Sequence, residues 1–227
     1  MRVLDLYTGV GGARVGYERA GADVVGVDIN PQPDYPAPHA FRQANVLDLD
    51  PADLRHFDLI HASSPCQRRA AITRGTNQRM QSRYPDLYEP TRALLEASGK
   101  PYVIETTGIP KERVSVTLCG EMFGLRVTRH RTFEFGGWST AKPQHLPHRG
   151  LTLGMRHGKL VTEGNGGWYF AVYGDGGYKG TVAQWQDAMG IHWTDNRKSI
   201  AEAIPPAYTE WVGRRFIEQH QIKKEAS

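Results

Sequence analysis

The first 28 residues constrain the fold more than any other stretch of the chain. Arg2 to Tyr7 is apolar enough for a buried strand and runs into Thr8-Gly9-Val10-Gly11-Gly12. Ala13 to Ala20 then has the composition of a helix closed by Gly21, and Asp23-Val24-Val25-Gly26-Val27-Asp28 is a second β-run. Two strands joined through a glycine turn and a helix within about 30 residues form the opening of a doubly wound parallel sheet. Glycines at Gly9, Gly11 and Gly12 let backbone amides approach a ligand at the positive helix end. Asp28 lies 19 residues after Gly9, where a carboxylate can accept both ribose hydroxyls of an adenosine cofactor. The spacing Gly-x-Gly-Gly departs from the dinucleotide fingerprint Gly-x-Gly-x-x-Gly, which weakens a nicotinamide reading and leaves S-adenosylmethionine open. Asp48, in Asn45-Val46-Leu47-Asp48 after a third strand, can accept the adenine amino proton or cap a helix.

Further strands are expected at Phe57 to Ala62 and Pro101 to Glu105, with a helix over Leu87 to Ala97 between them. The connection 63–83 is long, polar and basic, and a loop of that length in a compact domain is usually functional. A chain of 227 residues holds one α/β domain with at most a small lobe. From Gly136 to Gly180 the composition turns to Gly, Trp, Tyr and His, which predicts short strands and loops in a lobe inserted into the sheet domain. After Pro205-Pro206 a last helix carries Tyr208, Trp211, Val212 and Phe216 on one face. No apolar run approaches the roughly 18 residues of a membrane span, and the N-terminus lacks a signal-peptide core, so a cytoplasmic protein is expected. Without an export signal, Cys66 and Cys119 read as free thiols.

Charge is unevenly placed. Residues 1–60 carry 5 basic and 9 acidic groups, whereas residues 61–83 carry five arginines and no acid. Residues 126–160 hold 7 basic groups against Glu134 alone, and Arg outnumbers Lys 20 to 8. Two basic segments rich in Arg on a near-neutral body fit a polyanion groove, because the guanidinium fork matches phosphates and base edges. Solvated loop surface is the alternative.

Phe57-Asp58-Leu59-Ile60-His61-Ala62 runs into Ser63-Ser64-Pro65-Cys66-Gln67, which sets Cys66 at the carboxyl edge of the sheet. With Arg68 and Arg69 beside it, the thiol has the electropositive surroundings that favour a thiolate. Cys119, in Val116-Thr117-Leu118-Cys119-Gly120, reads as a buried packing cysteine.

At these residues the chain resembles the DNA (cytosine-5)-methyltransferases, and among them the short, phage-like members. Leu4-Asp5-Leu6-Tyr7-Thr8-Gly9-Val10-Gly11-Gly12 is similar to their first motif and Ser64-Pro65-Cys66-Gln67 to their nucleophile loop. Val103-Ile104-Glu105 is similar to their acid-bearing strand, Arg129-His130-Arg131 to their Arg-x-Arg motif, and Ala203-Ile204-Pro205-Pro206 to the start of their last motif. Three positions depart from the usual pattern: Ser64 for Pro, Thr106 for Asn after the acid, and Ala201-Glu202 for Gly-Asn.

The resemblance implies a Rossmann-like S-adenosylmethionine-dependent sheet with a small target-recognition lobe. The catalytic domain would comprise residues 1–135 and 198–227, and the recognition region residues 136–197. It implies Cys66 as the nucleophile that adds to carbon 6 of a flipped-out cytosine, Glu105 as the group that holds or protonates ring nitrogen 3, and Arg129 and Arg131 beside them. The cofactor would lie on Tyr7, Thr8, Gly9, Gly11, Gly12, Asp28, Ile29, Asp48, Pro65 and Glu202. Double-stranded DNA would meet Gln67, Arg68, Arg69 and Arg74, with Gln144, Arg149, Arg156 and Asn165 available for base edges. A monomer with no metal and no obligate protein partner is expected. The same thiolate chemistry on RNA cytosine, a modified one-carbon donor or pyrimidine, and a catalytically weakened DNA binder are alternatives that the residues leave open.

Overall fold

A computed structural model describes residues 1–65, 85–107, 113–156, 158–174 and 179–225. Strands β1 (Arg2–Leu6), β2 (Asp23–Asp28), β3 (Phe41–Gln43), β4 (Leu59–Ala62), β5 (Tyr102–Thr106), β6 (Ser115–Leu118) and β7 (Arg131–Gly136) form one sheet in the order β3-β2-β1-β4-β5-β7-β6. β1 to β5 pair in parallel, and β7 runs antiparallel to both β5 and β6. Helices α1 (Gly12–Arg19), α2 (Pro51–Leu54) and α3 (Tyr88–Ser98) connect the parallel strands, and α6 (Pro206–Glu225) closes the chain.

Because side chains alternate along a strand, each strand feeds two cores. Val3, Leu59, Val103 and Phe133 pack with Tyr17 of α1 and Tyr208, Val212 and Phe216 of α6 on one face. Leu4, Leu6, Ile60 and Ile104 pack with Leu54 of α2 and Leu95 of α3 on the other. Helices α1 and α6 approach so closely that a Cβ on Gly16 would lie 2.1 Å from the Pro206 carbonyl, and Thr209 Oγ1 donates to the Ala13 carbonyl at 2.9 Å. The glycine is thus a packing requirement of this helix pair.

Beyond β7 the chain forms two small sheets. β9 (Gly154–Arg156) pairs with β10 (Lys159–Val161), and β8 (Leu151–Thr152) with β11 (Gly167–Tyr169). Helices α4 (Val182–Met189) and α5 (Arg197–Glu202) follow, and with Val127, Phe170, Val172 and Ile191 they enclose a third core around Trp185. The sheet core runs past residue 136, since Trp138 packs on Phe135 and Phe216 and donates its indole N–H to the Tyr102 carbonyl at 3.1 Å. Among the described residues no helix is long and apolar enough to cross a membrane.

The sequence reading anticipated β1, α1, β2, β4, α3, β5 and α6 to within one or two residues at most ends. It assigned neither β6 nor β7, nor α4 nor α5. β7 was hidden by Glu134, a charge in the middle of a buried strand. That carboxylate is neutralised from α3, by Arg92 Nε at 3.1 Å and by the Tyr88 hydroxyl.

Candidate active site at the carboxyl edge of the sheet

The loop from β1 to α1 turns on Tyr7 (φ 58°), Gly9 (φ 51°) and Gly11 (φ 88°), all in the left-handed region. Tyr7 is held there by its hydroxyl on Thr91 Oγ1, 2.7 Å away on α3. The three glycines do different work. A Cβ on Gly9 would meet nothing within 4 Å, so its backbone faces open space, whereas one on Gly11 would press on Pro36 and Tyr35. On Gly12 it would lie 2.4 Å from the Ile204 carbonyl. Gly9 therefore suits close approach of a ligand, and Gly12 suits close approach of the segment before α6.

Asp28 ends β2 with both carboxylate oxygens fixed, Oδ2 accepting from the Gly9 amide at 3.0 Å and Oδ1 from the Asn30 amide at 2.9 Å. Each oxygen keeps a lone pair for a further donor. Ile29 beside it is 58% exposed, an apolar side chain open to solvent next to the acid. Asp48 is also exposed and makes no helix cap: Asn45 caps its short 3-10 turn, and Asp50 caps α2. Pro65 is exposed at the end of the turn after β4. Thr8 faces inward, its hydroxyl donating to Asp5 Oδ2 at 2.5 Å. Asp5 is fully buried, and burial pushes its pKa to about 7 against the opposing Thr8 bond and the Arg14 charge. Glu202 is exposed on α5 with Lys198 Nζ 3.9 Å away.

An adenosine-bearing ligand fits these residues: a glycine turn, a fixed acid with free lone pairs and an exposed aliphatic side chain lie at the ends of β1 and β2, with the exposed Asp48 on the turn that follows β3.

Glu105 lies near the end of β5. The β5–β7 register sets it opposite Phe133, so that Arg131, two residues earlier on β7, lies diagonally on the same face. Arg131 Nε sits 2.9 Å from Glu105 Oε1, a charge contact without a directed hydrogen bond to that oxygen. Burial pushes the Glu105 pKa above its ordinary value, opposed by Arg131, by Arg129 and by a hydrogen bond from the Ser63 side chain. A carboxyl poised in this way can hold a proton on a ring nitrogen or release it.

Behind Glu105 runs a relay that the sequence reading missed. Tyr17 OH lies 3.0 Å from His61 Nδ1, and His61 Nε2 lies 2.9 Å from Ser63 Oγ, which reaches Glu105. Burial lowers the His61 pKa to about 3, so the ring is neutral, with one donor and one acceptor nitrogen. With Glu105 ionised, every bond points toward the acid: Tyr17 donates to His61, His61 to Ser63 and Ser63 to Glu105. With Glu105 protonated, all three reverse. The available signal was His61 itself, a lone titratable residue in the strand Leu59-Ile60-His61-Ala62.

Arg129 (φ 30°) acts on Glu105 through its charge. Its guanidinium donates to the carbonyls of Val172 (3.1 Å), Ala201 (2.6 Å) and Ala203 (2.5 Å), joining the lobe and the segment before α6 to the sheet. In the lobe, Arg149 Nε is 2.6 Å from the buried Glu121, and the Asn165 amide is engaged internally by Thr162 and Leu160. Cys66, Gln67, Arg68, Arg69, Arg74 and the rest of the basic stretch through residue 83 lie outside the described residues, as does the Arg156 side chain.

The strand order, with β7 alone reversed, and the glycine turn and acid at the ends of β1 and β2 make a Rossmann-like α/β sheet. No family model and no curated protein matches the chain. Solved structures do. A putative DNA modification methyltransferase encoded within an E. coli prophage aligns at a TM-score of 0.64 and 15% identity, over 96% of this chain and 99% of its own. A mutant of Spodoptera frugiperda DNMT2 aligns at 0.63 and 13%, over 95% and 99%, and S. pombe Dnmt2 at 0.59 and 16%, over 94% and 97%. At these identities the likeness is one of fold.

Proposed function

We propose that this chain transfers a methyl group from S-adenosylmethionine to carbon 5 of cytosine in DNA. The observation that carries this reading is Glu105: a buried carboxyl near the end of β5, paired with Arg131, hydrogen-bonded by Ser63, and one strand from the turn Ser63-Ser64-Pro65 that leads into Cys66. The fold shared with a prophage-encoded methyltransferase and the two basic segments support it.

In this reading Gly9, Asp28, Ile29 and Asp48 would hold the cofactor, which would supply the methyl group when bound. The Cys66 thiolate adds to carbon 6 of the base while Glu105 protonates or hydrogen-bonds nitrogen 3, so that the electron pair of the ring becomes available at carbon 5. After transfer, loss of the carbon 5 proton and of Cys66 restores the ring. Arg131 keeps Glu105 oriented, and Ser63, backed by His61 and Tyr17, holds it by a hydrogen bond. The target atom is inside a duplex, so the base must be extruded, a step that the arginines of the 61–83 segment favour by holding the distorted strand.

The test is transfer of an isotope-labelled methyl group to duplex DNA and, separately, to transcribed RNA, with nucleosides identified by mass spectrometry. Labelled 5-methylcytosine in DNA is expected. Label confined to RNA moves the substrate to RNA, and label in neither polymer removes the assignment.

A further inference from the structure

Cys119, just past the end of β6, is buried, and its surroundings differ from those of a packing cysteine. His130 precedes β7, and His145 and His148 come from the connection between β7 and β8. The Sγ of Cys119 and one nitrogen from each imidazole all lie within 4.8 Å of one another. Cys119 Sγ is 3.4 Å from His148 Nε2, and His130 Nε2 is 3.0 Å from His145 Nε2. The three rings crowd together at centroid separations of 5.1 to 5.3 Å.

We propose that these four residues bind one zinc ion in a closed, tetrahedral site of one cysteine and three histidines that fixes the lobe to the catalytic sheet. With zinc bonds of about 2.3 Å to sulfur and about 2.0 to 2.1 Å to nitrogen, a tetrahedron sets nitrogens about 3.3 Å apart and sulfur about 3.6 Å from nitrogen. The two measured pairs lie close to those edges. The donor set narrows the metal: a thiolate with imidazoles excludes the oxygen-seeking magnesium and calcium, and a closed tetrahedron of these donors favours zinc among the rest. Four protein ligands leave no open position, which is the coordination of a structural site. Binding forms the Zn–S bond as the Cys119 thiol proton leaves to solvent, and the ion takes the place of the hydrogen bonds now joining the ligands in pairs.

The consequence follows from where the ligands sit. Two come from the ends of sheet strands and two from the segment that leads into the lobe, so the ion ties that segment back to the sheet. His130 stands between Arg129, which grips Val172, Ala201 and Ala203, and Arg131, which pairs with Glu105. Fixing His130 therefore fixes the backbone that aims both arginines. The Tyr169 ring packs edge-on against His148, and its hydroxyl donates to the buried Glu121 two residues beyond Cys119. Metal binding does not depend on the methyl-transfer reading and is tested apart from it.

The full chain, purified without a histidine tag and dialysed, is assayed for metal by inductively coupled plasma mass spectrometry. One zinc per chain is expected. Chelated protein reloaded with cobalt(II) should show the intense visible bands of a tetrahedral site and a thiolate-to-cobalt charge-transfer band, and Cys119→Ser should abolish the latter. His145→Ala with His148→Ala should lower zinc affinity about a hundredfold or more, while His192→Ala, three residues past α4 and outside the cluster, leaves it unchanged. Should the ligand variants fold poorly, the wild-type chain still decides: zinc must raise the melting temperature of chelated protein. Zinc well below one per chain together with a cobalt spectrum lacking the charge-transfer band overturns the proposal, as does full zinc retention by Cys119→Ser.

Discussion

Replacing Arg131 with Met tests whether Glu105 depends on its counter-charge. Both side chains are mostly buried, Glu105 at 6% exposure and Arg131 at 19%, with 2.9 Å between Nε and Oε1. Removing one member of such a pair typically costs about 3 to 5 kcal/mol when the survivor stays charged. Glu105 has an escape, because burial already raises its pKa and loss of Arg131 raises it further, so that the variant folds with a protonated acid over a wider pH range. In that added range the folded variant binds one proton that the unfolded chain, with Glu near its ordinary value of 4.5, has released. Stability of Arg131→Met should therefore fall by up to about 1.4 kcal/mol per pH unit more steeply than that of the wild type as pH rises between the two folded pKa values. Denaturant unfolding from pH 5 to pH 8, repeated in a Glu105→Gln background, gives the pair coupling. The coupling is expected to be larger at the alkaline end of the range, where Glu105 is more fully ionised, than at the acid end. A coupling below about 0.5 kcal/mol at every pH would show that the contact carries no energy and that the orienting role of Arg131 is wrong.

Asp5→Asn should change the pH profile in the other region of the site. The wild-type carboxyl titrates near 7 when folded against 3.8 unfolded, so its contribution to stability is lost as pH rises across that window. The stability of the variant relative to wild type should rise across it by at most about 4 kcal/mol, and a flat difference would contradict the buried, protonated acid. Gly12→Ala should destabilise the fold by about 1 to 3 kcal/mol in denaturant, because the new Cβ meets a backbone carbonyl that cannot turn aside. Wild-type stability in that variant would mean that the helix-start segment and Ile204 are not in contact. Asp28→Ala should weaken S-adenosylmethionine binding by about 1 to 3 kcal/mol in titration calorimetry, and unchanged affinity would place the ribose elsewhere.

What could be read from the sequence was local. An apolar run, a glycine turn and a returning strand lie within residues 2 to 28, and Pro205-Pro206 announces the last helix, so β1, α1, β2 and α6 needed no knowledge of partners. Asp28 and Glu105 were legible for the same reason, being acids at the ends of recognisable strands. Asp48 was ambiguous until Asn45 and Asp50 were seen to take the capping positions that it could have filled. Strand β7 and the site's inner contacts escaped because their polar groups are answered at long range. Glu134 in β7 is answered from α3, and the relay behind Glu105 needs α1 and β4 to meet across 44 residues. Arg129 likewise reaches carbonyls 43 to 74 residues away, which no spacing rule anticipates. Helix α4 did leave a trace, the reciprocal cap of Thr181 and Gln184, close behind a glycine-rich stretch that reads as loop. The Cys119 cluster left almost none: His145-x-x-His148 is its only short pair, and the other two ligands come from the ends of different strands.

The central claim is that a Cys66 thiolate attacks a cytosine held by Glu105. DNA containing 5-fluorocytosine tests it most directly, because fluorine cannot leave as the proton does and the adduct is trapped. With S-adenosylmethionine present, the wild-type chain should form a covalent complex whose mass includes one methyl group, Glu105→Gln should form it about a hundredfold more slowly, and Cys66→Ala should form none. A complex that survives Cys66→Ala, or 5-methylcytosine made by that variant, would contradict the mechanism.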